Sequence, residues 1–178
     1  IQYRQLPKSI TIVTGKEGGR YKDVADALGR KIEAEHGIKV KYIDSPGSQK
    51  NINFIQNGEA DFAFFQPNVI KDTSDYSDVR MVANVFPEVI LTHVKKDLGY
   101  DPFIGKLKER ENTIIAIGEE GSGSAVNSEM ILNHFDDSSL IGSRVTRSYD
   151  EVITGFESGN IDMAIITTEQ NASIQKKI

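Results

Sequence analysis

Two glycine-rich turns contain the side chains of this sequence that are best suited to chemistry. They are residues 15–21, which read GKEGGRY, and residues 118–124, which read GEEGSGS. Glycine lets the backbone approach a ligand closely, and a helix that begins after such a turn offers unpaired N–H groups and the positive end of its dipole. Hydroxyls of Tyr21, Ser122 and Ser124 would add further donors. This pattern favours the binding of a small anion.

The two turns are parts of a longer internal repeat. An apolar strand leads into each turn, at residues 10–14 and 113–117. Later in each half a helix ends at a glycine and a second apolar strand follows, at residues 61–65 and 161–166. Because the offset between the copies is nearly constant, we expect two similar α/β lobes with a cleft between them for one small molecule.

Several polar residues stand where strands end and helices begin. Gln66 follows the apolar strand of the first half, and Thr167 occupies the matching position in the second. Ligands of open α/β sheets bind at the carboxyl ends of strands, so both are candidate contacts. The charged side chain of Arg20 could attract an anion, or it could point into water. The alternative for every turn is structural, with glycines forming tight turns and Ser45, Ser48 or Ser124 capping helices.

Composition excludes several classes of function. The 178 residues have a formal net charge of -5, which argues against a nucleic-acid binder. There is no cysteine, so disulfides and thiolate chemistry are excluded, and this fits a bacterial extracytoplasmic protein. No apolar run approaches the roughly 20 residues that span a bilayer. No signal peptide stands at Ile1, which a mature or trimmed chain would also lack.

The hydrophobic pattern predicts alternating strands and helices, hence mostly parallel sheets flanked by helices. We expect lobe 1 at residues 1–95, a charged crossing at 96–110 and lobe 2 at 111–178. The inner helix positions are expected to include Leu28 and Met130, and the strand at 61–65 to be buried on both faces. The predicted strands are 10–14, 38–43, 61–65, 79–85, 88–94, 114–117, 141–146 and 161–166, and the predicted helices are 20–36, 51–56, 124–135 and 149–157.

Enzyme signatures fail in this sequence. Lys16 precedes the glycines of its turn, so the turn is not a phosphate-binding loop of the Walker type. Ser122 is not in a nucleophile elbow, because Glu120 stands where the first glycine belongs. The three histidines share no metal-ligand spacing, and no partner can be named for a glutamate base. We therefore expect a binding protein without catalysis, metal or cofactor, with a small-molecule enzyme as the alternative class.

The order of these turns resembles the substrate-binding receptors of TAXI-type TRAP transporters, also called the NMT1-like periplasmic-binding family. The matching stretches are residues 14–21, 47–51, 57–66, 85–88, 118–124 and 159–162. The resemblance implies a periplasmic-binding-protein-like fold of type II that closes on a small organic anion, an amino acid or dicarboxylate such as glutamate. It implies ligand contacts from Gly19, Tyr21, Ser48, Asn51, Gln66, Ser122, Gly123 and Ser124.

The resemblance also sets expectations for location and partners. It implies a periplasmic or extracellular protein that delivers its ligand to a TRAP-type transporter. The alternative is the extracytoplasmic sensing domain of a membrane receptor or channel, attached to a transmembrane signalling segment. Pro67 and Asn68 stand where the family usually has an aspartate after the glutamine motif. The chain is also shorter than a full receptor, so lobe 2 is expected to be incomplete.

Overall fold

The chain folds into two compact units, Ile1–Val82 and Ala83–Ile178. The structure, a computed structural model, describes residues 5–96, 113–134 and 143–170. The predicted crossing at 96–110 lies outside the described residues except for residue 96, as does the end of the predicted helix at 135.

The first unit is a three-stranded parallel sheet with a β-α-β-α-β order. Strand β1 pairs with both of its neighbours, so the sheet order is β2-β1-β3. Two short 3₁₀ turns follow, at Pro67–Val69 and Thr73–Tyr76. The elements are β1 (Ser9–Val13), α1 (Arg20–His36), β2 (Lys39–Ile43), α2 (Ser48–Gln56) and β3 (Phe62–Ala63).

Helix α1 packs on this sheet through small residues. Ala25 and Gly29 are its buried positions, and a Cβ on Gly29 would lie only 1.9 Å from the Tyr42 hydroxyl oxygen. This close approach turns Leu28 outward, where 44% of it is exposed. The predicted inner position of Leu28 is therefore wrong, because the glycine and not the larger apolar residue lies against the strand.

The second unit repeats the same order and adds one strand. Its strand β5 pairs in parallel with β6 and β7, as β1 does with β2 and β3. Strand β4 pairs antiparallel with β7, so the sheet order is β4-β7-β5-β6. The elements are β4 (Val89–Val94), β5 (Ile114–Ala116), α3 (Gly123–His134), β6 (Ser143–Val145), α4 (Tyr149–Ser158) and β7 (Met163–Thr168). The predicted α/β fold with mostly parallel sheets is confirmed.

Both faces of the second sheet are covered by helices. Every residue of β7 is buried, and alternate residues join two separate apolar clusters. Ala164 packs with Val152 of α4 on one face, and Met163 packs with Leu132 of α3 on the other. The period of two along a strand explains this division. Met130 is 57% exposed, so its predicted inner position is wrong; Ser124, Ser128 and Leu132 form the buried face of α3 instead.

The internal repeat extends to individual hydrogen bonds. The Asp61 carboxylate accepts the backbone N–H of Thr11 at 2.8 Å, and Asp162 accepts that of Ile114 at 2.9 Å. Each aspartate follows a helix that ends near a glycine with positive φ, 70° at Gly58 and 80° at Gly159. Equivalent aspartates therefore bind the central strand of each unit, at Thr11 in the middle of β1 and at Ile114 where β5 begins.

Three strand predictions differ from the structure. Strand β3 contains only two residues, and Phe62 is 43% exposed because β3 is an edge strand with one unpaired side. The predicted strand at 79–85 is absent, and its Met81 and Val82 are exposed without a neighbouring strand in the described part of the chain. Strand β4 was expected at the end of lobe 1, but its pairing with β7 places it in the sheet of the second unit.

Candidate functional site

In the first unit, predicted site residues meet where strands end and helices begin. The Tyr21 hydroxyl lies 3.2 Å from the Ser48 hydroxyl, and Ser48 Oγ accepts the backbone N–H of Gln66 at 3.0 Å. The Tyr21 ring also stacks on Phe64, with 5.7 Å between ring centres. We call Tyr21, Ser48, Asn51 and Gln66 the first corner.

The buried side chain of Asn51 holds the first corner together by hydrogen bonds. It is completely buried, and its Nδ2 donates to the carbonyl oxygens of Thr14 at 2.9 Å and Phe64 at 2.7 Å. Its Oδ1 accepts from the Ser45 hydroxyl, which also donates to the Thr14 carbonyl. The amide of Asn51 thus joins the chain beyond β1 to the chain beyond β3, while its predicted contact with a ligand stays a prediction.

The remaining predicted residues of the first unit lie at the start of α1. Gly19 immediately precedes the helix, and its N–H donates to the Lys16 carbonyl at 3.0 Å. Arg20 is exposed. Neither predicted serine cap of α2 forms, because Gly47 precedes that helix and no side chain caps it. The hydroxyls of Ser45 and Ser48 bind strand ends instead.

The second unit brings its own predicted residues together. Ser122 caps α3, since its hydroxyl accepts the N–H of Ala125 at 3.0 Å. Ser124 Oγ accepts the backbone N–H of Thr167 at 3.0 Å, and Thr167 Oγ1 accepts from Asn127 Nδ2 at 2.9 Å. Ser122, Gly123, Ser124 and Thr167 are all buried, and we call them the second corner.

Tyr149 is a residue of this region that the sequence analysis missed. Its hydroxyl donates to the Thr167 carbonyl at 2.9 Å. The internal repeat could have found it. Tyr149 opens α4 as Ser48 opens α2, and Ser124 is the second residue of α3 as Tyr21 is of α1. The first helix of each unit thus has a tyrosine in one case and a serine in the other, and the second helix has the same two residue types in the opposite order.

The protonation of Tyr149 gives a testable pH dependence. Burial around its hydroxyl, together with the Glu88 carboxylate, raises the pKa of Tyr149 to about 12 from its ordinary 10.0. The folded chain thus holds this proton more tightly than the unfolded chain. We expect the resulting stability to be complete below pH 10 and lost as the pH rises toward 12. Urea unfolding should show a flatter alkaline decline for Tyr149→Phe than for the original chain; equal slopes would contradict the prediction.

The helix starts differ in what they offer to an anion. Helix α2 has no acidic residue in its first turn and no side-chain cap. Helix α3 also has no acidic residue there. The first turn of α4 contains Asp150 and Glu151, and Ser148 and Glu151 form a reciprocal capping box. Carboxylates already occupy the positive end of α4, so α2 and α3 are better suited to a ligand's negative charge.

Neither a metal centre nor a membrane-spanning helix is present among the described residues. No group of three or more histidine, aspartate or glutamate side chains could hold a metal ion within residues 5–96, 113–134 and 143–170. Over the same ranges, no helix combines the length and apolar character that a bilayer crossing requires.

Burial lowers the pKa of His93, whose Nε2 has no hydrogen-bond partner in the described part of the chain.

Comparison with known proteins identifies a family and a fold. The NMT1-like family matches residues 12–176. The alkanesulfonate-binding protein SsuA from Xanthomonas axonopodis pv. citri, bound to MOPS, aligns with 16% identity and a TM-score of 0.62. The alignment covers 92% of this chain and 55% of SsuA.

Two further solved structures share the fold. A binding protein component of an ABC phosphonate transporter from Pseudomonas aeruginosa aligns with 12% identity and a TM-score of 0.63, over 90% of this chain and 57% of that one. Lactococcal OpuAC in complex with glycine betaine aligns with 19% identity and a TM-score of 0.61, over 96% and 68%. This chain spans little more than half the length of the first two.

Proposed function

The chain belongs to the NMT1-like family, and from this we propose that it is an extracytoplasmic solute-binding protein for a small organic anion. The observation that carries the proposal is the second corner. There, buried serine and threonine hydroxyls meet the start of a helix that has no acidic residue in its first turn. Such a corner supplies hydrogen-bond donors and positive potential together, which is what an anionic group requires.

The ligands named for the structural neighbours support a ligand that carries an oxyanion group, which in glycine betaine is part of a zwitterion. One neighbour binds alkanesulfonates, another belongs to a phosphonate transporter, and a third is complexed with glycine betaine. Sulfonate, phosphonate and the carboxylate of betaine are all oxyanions. For this chain we propose an amino acid or dicarboxylate, with glutamate as the first compound to test.

Delivery of the ligand to a TRAP-type transporter is part of the proposal, and sensing for an attached transmembrane domain is the alternative. No enzymatic step is proposed. The full gene distinguishes the two uses: a signal peptide without another membrane span supports delivery, and a transmembrane helix adjoining this region supports sensing.

Removing two hydroxyls of the second corner tests the function directly. We expect Ser122→Ala with Ser124→Ala to weaken glutamate binding by roughly 1–3 kcal/mol, because charge-assisted hydrogen bonds are lost. Calorimetric titration measures this loss. Ser128→Ala is the matched control, since that buried hydroxyl binds the carbonyls of Ser124 and Ile165 and offers its hydrogen to the protein. Unchanged affinity for glutamate in the double variant would show that the second corner is not part of the binding site.

The same titration tests the expectation of a common cleft. One molecule bound per chain, with affinity that falls when either corner is altered, supports joint binding by both corners. Two molecules per chain would mean that each corner binds separately.

A further inference from the structure

His93 is a titratable residue of β4 that lies outside both corners. Its Nε2 atom is shielded from solvent and has no hydrogen-bond partner in the described part of the chain. A neutral histidine ring carries one N–H hydrogen, whereas the cation carries a hydrogen on both nitrogens. Protonation of the ring therefore leaves a charged N–H donor at Nε2 without an acceptor, and a buried donor of this kind is costly.

The register of β4 shows which face of the sheet His93 occupies. His93 lies opposite Ala164 of β7, and directly opposed residues of an antiparallel pair share one face. On that face Ala164 belongs to an apolar cluster with Val152 of α4, and Ile153 and Phe156 of the same helix pack against the cluster. These side chains offer no acceptor to a protonated ring.

The charged groups at this end of β4 are already engaged with one another. Strand alternation places Lys95 on the same face as His93, and the Lys95 ammonium donates to the Asp162 carboxylate at 3.0 Å and to the Gly159 carbonyl at 2.9 Å. The second carboxylate oxygen of Asp162 accepts the N–H of Ile114. Strand β7 contains no titratable side chain. A charged His93 would thus add a second cation beside Lys95.

The titratable groups of helix α4 and of the residue before β4 do not compensate this charge. Tyr149 donates its hydroxyl hydrogen to the Thr167 carbonyl, and Glu88 precedes the other end of β4, close enough to Tyr149 to raise its pKa. The acidic residues of α4 are all exposed, namely Asp150, Glu151 and Glu157. Burial is the cause that lowers the pKa of His93, and no charged group contributes to it.

We propose that His93 is an acid-sensitive switch of the second unit, whose protonation loosens β4 from β7. Among the described strands β4 pairs with β7 alone, so its release breaks one ladder and leaves β5, β6 and β7 together. Since burial lowers the pKa of His93 from its ordinary 6.5, the released strand binds the proton more tightly than the paired strand. The pairing is therefore complete above that pH and weakens as the pH falls below it.

Hydrogen exchange followed by NMR at about pH 7 and about pH 5 tests this switch. After correction for intrinsic exchange rates, we expect the amides that join β4 to β7 to lose roughly 10-fold in protection at the lower pH. The amides that join β1 to β2 should keep theirs. The chain has three histidines, so the titration of the His93 ring can be followed in the same samples. A His93 ring that takes up its proton while β4 keeps its protection would overturn the inference.

Two variants assign the effect to His93. His93→Phe keeps a ring on the apolar face, and His93→Gln is a smaller neutral replacement that serves if the phenyl ring does not fit. In either variant, β4 should have the same protection at both pH values. His36→Gln is the matched control, because His36 is exposed at the end of α1 and its replacement should leave the acid effect unchanged. An undiminished acid effect in the His93 variants would overturn the assignment. The switch requires no ligand, so its failure leaves the proposed function untouched.

Discussion

Gly118→Ala is expected to lower the free energy of unfolding by roughly 3 kcal/mol. Gly118 has a φ of 87°, which side-chain-bearing residues rarely adopt. A Cβ at this position would lie 2.9 Å from both Cβ and Oγ of Ser124 and 3.0 Å from the backbone nitrogen of Ala125. The turn cannot relax without moving the start of α3, so backbone strain and overlap add together.

Urea unfolding followed by circular dichroism measures this loss. Gly37→Ala is the matched control, because Gly37 also has a positive φ, 66°, but nothing lies within 4 Å of the added Cβ. The control should lose only about 1 kcal/mol from the backbone conformation. Equal losses in the two variants would show that the contact with Ser124 contributes nothing.

Asn51→Ala is expected to destabilise the chain by a similar amount, roughly 2–4 kcal/mol. The substitution leaves the carbonyls of Thr14 and Phe64 without the amide that joins them. It also removes one acceptor of the buried Ser45 hydroxyl, which keeps the Thr14 carbonyl as another. Buried polar groups that lose their partners pay their full desolvation cost, which exceeds the modest net value of an ordinary hydrogen bond.

Asn53→Ala separates this effect from helix propensity, since Asn53 is exposed on the same helix. The control should change stability by no more than about 0.5 kcal/mol. Unfolding curves of both variants, with and without glutamate, distinguish support from ligand contact. A stability loss in Asn51→Ala that appears only when glutamate is present would contradict the supporting role.

The internal repeat was the part of this fold that sequence could reveal. A glycine turn, a helix and a buried strand recur at a nearly fixed offset, and the structure adds the matching hydrogen bonds of Asp61 and Asp162. Hydrophobic alternation also located most strands. It failed at residues 79–85, because alternation describes a strand's faces and says nothing about whether another strand lies beside it.

Side-chain partners in the corners could not be read from the sequence. Ser45 and Ser48 have the residue type and position of helix caps, yet their hydroxyls bind strand ends. A hydroxyl binds the groups that the fold brings within hydrogen-bond distance, and for these two serines they include the chain beyond β1 and β3. Tyr149 was missed because no glycine-rich turn precedes it, in contrast to Tyr21. Its place becomes evident only when its counterpart, Ser48, is seen to bind the end of the equivalent strand.

The position of β7 in its sheet has a consequence for synthesis on the ribosome. In the first unit, the central strand β1 is made before both strands that pair with it. In the second unit, β4 pairs only with β7 among the described strands, and β7 follows β4, β5 and β6 in the chain. The first sheet can thus assemble as it emerges, whereas β4 must wait, exposed to aggregation or chaperones, until translation has passed residue 168.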